Sequence, residues 1–238
     1  MKVTLISHTQ DAVELLLFTK STRLTLSPHL LDEIAEMPES AKLKELEYMA
    51  NTIPSSWEFV SYVFLVEGVS RAYTHQQVRT RAASYAQQSM RVNDMSDFDY
   101  VYSDAILAEP MAKAEVDNIL QEIKFSYRSL VAAGVASEDA RGILPTNIAT
   151  NIICKFNLRT FVDLAKSRTG GRTQSEYQKV VNAMVDEVLK VHPWAELFLF
   201  KKGRDYFAEI EAFALAKFPD LKERGELLKI IDHMRKEG

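Results

Sequence analysis

The chain has 238 residues, of which 47% are hydrophobic and 26% charged, and a formal net charge of −4. That balance fits a globular protein with one substantial core, and it excludes a general nucleic-acid binder. No apolar run approaches the length of a membrane span, and a single cysteine excludes an intrachain disulfide.

The N-terminus turns polar by Ser7-His8, without the long apolar stretch of a signal peptide, so a cytoplasmic protein is expected. Residues 2–9 alternate as a strand, with Val3 and Leu5 on one side. Short helices are predicted from Asp11 to about Leu17 and from Asp32 to Met37. An amphipathic helix follows over Ala41–Asn51, with Leu43, Leu46 and Met49 on one face. Glu58 to Glu67 is a nearly continuous apolar, β-favouring run, the pattern of a strand buried on both faces. Gly68 ends it, and Ser70 caps a helix expected to reach about Thr80, which would align Arg71, His75 and Arg79. Ser84–Val92 reads as extended. Ala112–Ala133 is a long amphipathic helix, and a second helical stretch near Ser137–Arg141 is stopped by Pro145. Ile148–Phe156 reads as a strand that carries Cys154 as core filler, and Leu158–Ser167 as a helix. Gly170-Gly171 marks a break before a helix over Gln174–Val191, and a charged helical stretch begins at Asp205. The elements make one domain, mixed α and β, with helix predominating.

Several chemistries lack their residues. The five histidines have no paired spacing with one another or with Cys154, so no metal site is expected. There is no nucleophile elbow, glycine-rich dinucleotide loop or P-loop. What stands out is charge distribution. Gly68–Asn93 contains four arginines and no acid, and Arg141–Ser175 contains six basic residues against Asp163. These windows carry +4 and +5, leaving −13 for the remainder. Two cationic islands in an acidic chain point to a pocket for a compact anion. Guanidinium groups grip phosphate bidentately, and the surrounding Ser and Gln side chains can read a base edge or a sugar hydroxyl. Residues alone leave a second account open, a solvated polar loop whose arginines balance nearby carboxylates.

Arg79-x-Arg81, then seven residues, Ser89 and Arg91, resembles the signature of flavin-dependent thymidylate synthases. Gly68-Val69-Ser70-Arg71-Ala72 and Gln76 precede it at matching spacing. A second block is similar as well: Ala140-Arg141-Gly142-Ile143-Leu144-Pro145, then Asn157-Leu158-Arg159, Asp163, Arg168 and Gln174-x-Glu176. The resemblance covers roughly residues 50–195. It implies an α+β, helix-rich single domain with an antiparallel sheet, with residues 1–200 as the family domain and 201–238 as a helical extension of it.

The implied activity is reductive methylation of dUMP, with FAD as cofactor and methylene-tetrahydrofolate and NADPH as co-substrates. The implied assembly is a homotetramer with shared active sites, free of nucleic acid and membrane. The implied dUMP site comprises Gln76, Gln77, Val78, Arg79, Gln87, Gln88, Ser89, Met90, Arg91, Arg141 from a neighbouring subunit, and Arg168. Arg168 is the implied catalytic group, facing the uracil and favouring ionisation at N3. The implied FAD site comprises Ser55, Glu58, Arg79, Thr80, Arg81, Gln87, Asn157, Arg159 and Asp163. Thr80, Ile53 and Phe59 stand where the family often has histidine, Val92 stands where Tyr is common, and Asp163 stands where Asn or His contacts the flavin. The alternatives are a relative that modifies another pyrimidine nucleotide, for example by hydroxymethylation, and a non-catalytic nucleotide-binding protein.

Overall fold

The apolar run near residue 60 does become a strand, but it starts at Ser61, three residues later than expected. Pro54–Phe59 forms a tight 3-10 turn instead, with proline at its first position. Trp57 drives this. Its indole is buried, donates from Nε1 to the Met49 carbonyl at 3.1 Å, and meets Phe198 edge-on. Glu58, expected inside the strand, therefore sits exposed on the turn.

The computed structural model describes residues 1–22, 28–170, 173–200, 206–218 and 221–237. Contacts divide the chain into two units, Met1–Leu199 and Phe200–Gly238. The first unit holds β1 (Lys2–His8), α1 (Ala12–Ser21), α2 (Leu30–Ala35), α3 (Glu39–Thr52), β2 (Ser61–Ser70), α4 (Arg71–Gln77) and β3 (Ala83–Gln87). It continues with α5 (Asp104–Ala108), α6 (Pro110–Ala132), α7 (Ser137–Ala140), β4 (Ala149–Asn157), α8 (Leu158–Arg168), α9 (Ser175–Val191) and α10 (Glu196–Leu199). In the second unit α11 (Tyr206–Lys217) and α12 (Leu221–Glu237) pack on each other, burying Ala214 and Ile231. Gly171 of the expected Gly170-Gly171 break and the Asp205 start of the C-terminal helix lie outside the described residues.

The four strands form one antiparallel sheet in the order β1-β2-β4-β3, an α+β arrangement as expected. Register puts Leu5, Phe64, Cys154 and Tyr85 in one row across all four strands. That face is the core: Tyr62, Phe64, Val66, Ile152, Cys154 and Phe156 are buried beneath residues of α8, α9 and α3. Phe161 of α8 stacks on Phe64 with centroids 5.5 Å apart. Cys154 is filler here, its thiol pushed up to about 12 by burial.

The other face is different. Val63 and Leu65 are only partly buried, and Ile153, in a central strand, is 38% exposed. β2 is thus buried on one face within the chain, and its run of apolar residues on both faces is not explained by the chain's own packing. On α3 the buried set is Lys42, Leu46, Met49 and Ala50, while Leu43 faces out. Three-residue steps alone drift round a helix, so Leu43 leaves the stripe. A second, smaller core gathers Met95, Phe98, Leu120, Tyr127, Ala140 and Ile148 beneath α6.

Candidate functional site

Helix α4 organises the site, and its position is fixed by unusually specific local chemistry. A bulge between Val66 and Val69 and the left-handed Gly68 (φ 65°) turn the end of β2. Ser70 then caps α4. Its Oγ accepts the Tyr73 N–H at 3.0 Å and donates to Glu176 Oε2 at 2.6 Å, while its own N–H donates to Glu176 Oε1 at 2.7 Å. The cap therefore ties α4 to the first turn of α9. The helix ends at Gln77, short of the expected Thr80, so Arg79 lies on the following turn.

Three arginines collect at the start of α4. Arg91 Nε pairs with Glu138 Oε2 at 2.8 Å, and Arg141 Nε donates to the Glu138 carbonyl at 3.0 Å. Arg71 donates to the Gln88 carbonyl at 3.3 Å, and its guanidinium is pushed down by partial burial and then by the like charge of Arg141. Beside them Ser89 Oγ accepts the Arg91 N–H at 3.1 Å. Of the three cations only Arg91 meets a carboxylate, and the other two are held on backbone carbonyls, which leaves a net positive charge, the electrostatic requirement for a phosphate site. Arg91 and Arg141 meet within one chain, 50 residues apart in sequence.

The C-terminal end of α4 carries the expected amides. Gln76 donates to Gln174 Oε1. Gln77 is buried, accepting from Tyr73 Oη at 3.0 Å, so its side chain is structural within this chain. Gln87 donates to Thr74 Oγ1 at 2.8 Å. The Tyr85 hydroxyl lies 2.8 Å from the Thr80 carbonyl and pins the turn. Next to that turn stands Arg168, its guanidinium 5.0 Å over the Tyr177 ring. Thr80 and Arg168 flank the Tyr177 hydroxyl and oppose the rise that burial imposes on it. Yet Arg168 Nε and Tyr177 Oη are both buried without a hydrogen-bond partner among the described residues. A buried donor left unpaired is costly, and such groups commonly mark a place where something else binds.

The expected flavin residues gather only in part. Arg159 Nη1 pairs with Glu58 Oε1 at 2.8 Å. Asn157 caps α8, its Oδ1 accepting the Thr160 N–H at 2.8 Å. Glu58, Phe59, Ser61, Ala82, Ala83, Ser84, Lys155 and Asn157 line a cavity of about 380 Å³. Ser55 lies on an adjoining, mostly apolar cavity of about 390 Å³ with Ser56, Phe59 and α1. Arg79 and Arg81 are exposed, and their side chains form no hydrogen bond or ion pair with described residues, although the segment directly after them lines the Glu58 cavity. Asp163 is exposed on α8, one turn beyond Arg159. Val78 and Val92 are exposed, and Met90 packs against the smaller core.

The site residues expected from the sequence do not include Arg71, Glu138 or Lys155. Arg71 carried a signal, since it lies in the acid-free window two residues after the bulge. Glu138 carried none, because only folding brings it to Arg91. Among the described residues no group of three or more His, Cys, Asp or Glu side chains could hold a metal ion, and no helix is long and apolar enough to cross a membrane.

Comparison with known proteins is consistent across most of the chain. The family model described as thymidylate synthase complementing protein matches residues 4–194. A flavin-dependent thymidylate synthase of Nitratidesulfovibrio vulgaris is 32% identical over 237 residues, covering 92% of this chain and 95% of the relative. Relatives of the same description from Geobacter sulfurreducens and Sulfurisphaera tokodaii are 34% identical over 200 residues and 31% over 193. These two alignments each cover 81% of this chain, and 84% and 75% of the respective relatives.

Proposed function

We propose, from the premise that the chain belongs to the thymidylate synthase complementing protein family, that it is a flavin-dependent thymidylate synthase. It methylates dUMP to dTMP, taking the one-carbon unit from methylene-tetrahydrofolate. The observation that carries this reading is the linkage of Arg91 and Arg141 through Glu138, with Arg71 within the field of Arg141 and Ser89 beside Arg91.

In this account the phosphate of dUMP displaces the Glu138 carboxylate from Arg91 and spans Arg91 and Arg141, with the Ser89 hydroxyl as a neutral donor. Gln76, Gln87 and Arg79 complete the sugar and base contacts. Arg168 faces the uracil. Its unpaired, buried Nε holds a fixed positive charge where a deprotonated N3 places negative charge, and stacking on Tyr177 keeps the guanidinium oriented. No side chain is needed as a nucleophile, so Ser89 binds rather than attacks.

The residues also fit a flavin dinucleotide. Sugar hydroxyls require acceptors such as Glu58, phosphates require cations such as Arg79, Arg81 and Arg159, and the cavity beside Glu58 supplies amide and hydroxyl partners. Bound by these residues and reduced by NADPH, the flavin would supply hydride chemistry at the pyrimidine. Since Arg79 and Arg81 are exposed and do not line the Glu58 cavity of their own chain, we assign a homotetramer in which neighbouring subunits complete each site, with residues 201–238 as an extension of the same domain. A cytoplasmic location goes with a buried, reduced Cys154.

The test is growth rescue of a thymidine-requiring bacterial host that lacks its own synthase. Expression of this chain should restore growth without thymidine, and Arg168→Met should abolish the rescue at equal protein level. Absence of rescue by well-expressed, flavin-loaded wild type would contradict the reading.

A further inference from the structure

Beside the Glu58–Arg159 pair the sheet carries a cation whose side chain no described residue engages. Lys155 stands on the uncovered face of β4, opposite Val63 of β2 and Ser84 of β3. A balancing carboxylate would sit at one of those cross-strand positions, and both are uncharged. Glu58, the carboxylate of the same cavity, is committed to Arg159 at 2.8 Å. Lys155 is exposed, and its side chain forms no hydrogen bond or ion pair with any described residue.

Phe59 lines the same cavity, and 60% of it is exposed although it belongs to an apolar run. The remaining polar lining is Ser61, Ser84 and Asn157. Because Asn157 Oδ1 is used by the Thr160 N–H, the amide offers its NH2 to the cavity. One concavity thus presents a flat aromatic face, an unspent cation, neutral donors and a carboxylate. A purine base, a phosphate and a ribose are the chemical groups that answer these in turn. A solvated lysine and a stray exposed ring would have no reason to share a cavity with two hydroxyls and a free amide.

We infer that Lys155 and Phe59 hold the adenylate half of the flavin dinucleotide, Lys155 at the pyrophosphate and Phe59 against the adenine ring. This rests on the flavin reading above and adds to it two residues that reading did not include. Lys155 is a binding residue here, remote from the reacting atoms.

Calorimetric titration of the full chain with FAD, ADP and adenosine tests it, in wild type, Lys155→Met, Lys155→Arg and Phe59→Ala. Lys155→Met should weaken FAD and ADP each by about tenfold, the worth of one partly screened charged hydrogen bond, and leave adenosine unchanged. Lys155→Arg should recover most of that loss, and raising the salt should shrink it. Phe59→Ala should weaken all three ligands. FAD affinity unchanged in Lys155→Met would overturn the inference, as would a loss shared by adenosine and not recovered by arginine. A wild type that binds no FAD would overturn the flavin reading as well, whereas tight wild-type binding with indifferent variants overturns this inference alone.

Discussion

Arg91 shows how far a single residue can be understood before and after folding. Its resemblance to the family signature, through Arg79 and Ser89, implied a phosphate ligand, and the fold places it in a cationic cluster. What spacing could not supply is Glu138, 47 positions away, which occupies the guanidinium in the unliganded chain at 2.8 Å. Both groups are largely exposed, so the pair adds little stability and is readily exchanged for a doubly charged phosphate. Arg91→Ala should therefore weaken dUMP by about 1.5–3 kcal/mol, measured by equilibrium binding; unchanged affinity would remove Arg91 from the phosphate site. Arg168 makes a different prediction, because its charge matters most when the ring becomes anionic. Arg168→Met should lower kcat by about a hundredfold or more while KM for dUMP moves far less. An equal loss confined to KM would assign Arg168 to ground-state binding. Arg71 is the converse case: it was visible in the acid-free window but gained a role only from the like charge of Arg141, which the fold brings near it.

Elements were legible where one periodicity dominated. The helices α6, α8 and α9 and the strand β4 fall within a residue or two of expectation, since each has an uninterrupted pattern. β2 began late because burying Trp57 and starting at Pro54 favour a tight turn, a tertiary preference that outweighs the β-propensity of the segment. α4 was placed correctly at its start because Ser70 is an N-cap, but the cap's second partner, Glu176, could not be read locally. Ser70→Ala removes the cap and leaves a half-satisfied carboxylate beside α9. It should cost about 2 kcal/mol in denaturant unfolding, and also weaken dUMP because α4 positions Arg71 and Gln76. A cost below about 0.5 kcal/mol would mean that α4 is held by packing alone. The end of α9 carries a pH response. His192, 7% exposed, is hydrogen-bonded through Nδ1 to Tyr62 Oη at 3.0 Å, with His8 edge-on and Trp194 tilted against it. Burial, and then the charge of His8, push His192 down to about 4 from 6.5. The unfolded chain takes up this proton near 6.5, while the folded one refuses it until about 4. Its contribution is therefore complete above 6.5 and lost as the pH falls towards 4, so stability should fall across that window. His192→Gln should flatten the slope; an identical pH profile in wild type and variant would place the titration elsewhere.

At the scale of the whole molecule, the sheet has one face closed by helices and one left open. Ile6 and Ile153 are exposed on the open side, and Val63 and Leu65 are half covered. The sequence announced a strand apolar on both faces, and in the proposed homotetramer another copy of the chain covers the apolar part of the second face, around Leu65 and Ile153, leaving the Lys155 cavity to the flavin. Ile153→Glu should then lower the mass seen by light scattering from that of four chains and abolish turnover, with the individual fold retained by circular dichroism. An unchanged mass would leave that face unexplained. The same reasoning accounts for what could not be read at the site. Local motifs supplied the arginines, but the sharing of residues between elements, and in this account between subunits, has no linear signature.

The central claim is that these dispersed arginines serve one reaction on one nucleotide. Purified full-length protein supplied with FAD, NADPH, methylene-tetrahydrofolate and either dUMP or dCMP tests it most directly, with products separated chromatographically. The account predicts dTMP from dUMP, dependent on FAD and absent with dCMP. Protein that binds FAD and dUMP under these conditions yet forms no dTMP, or that converts dCMP instead, would contradict it.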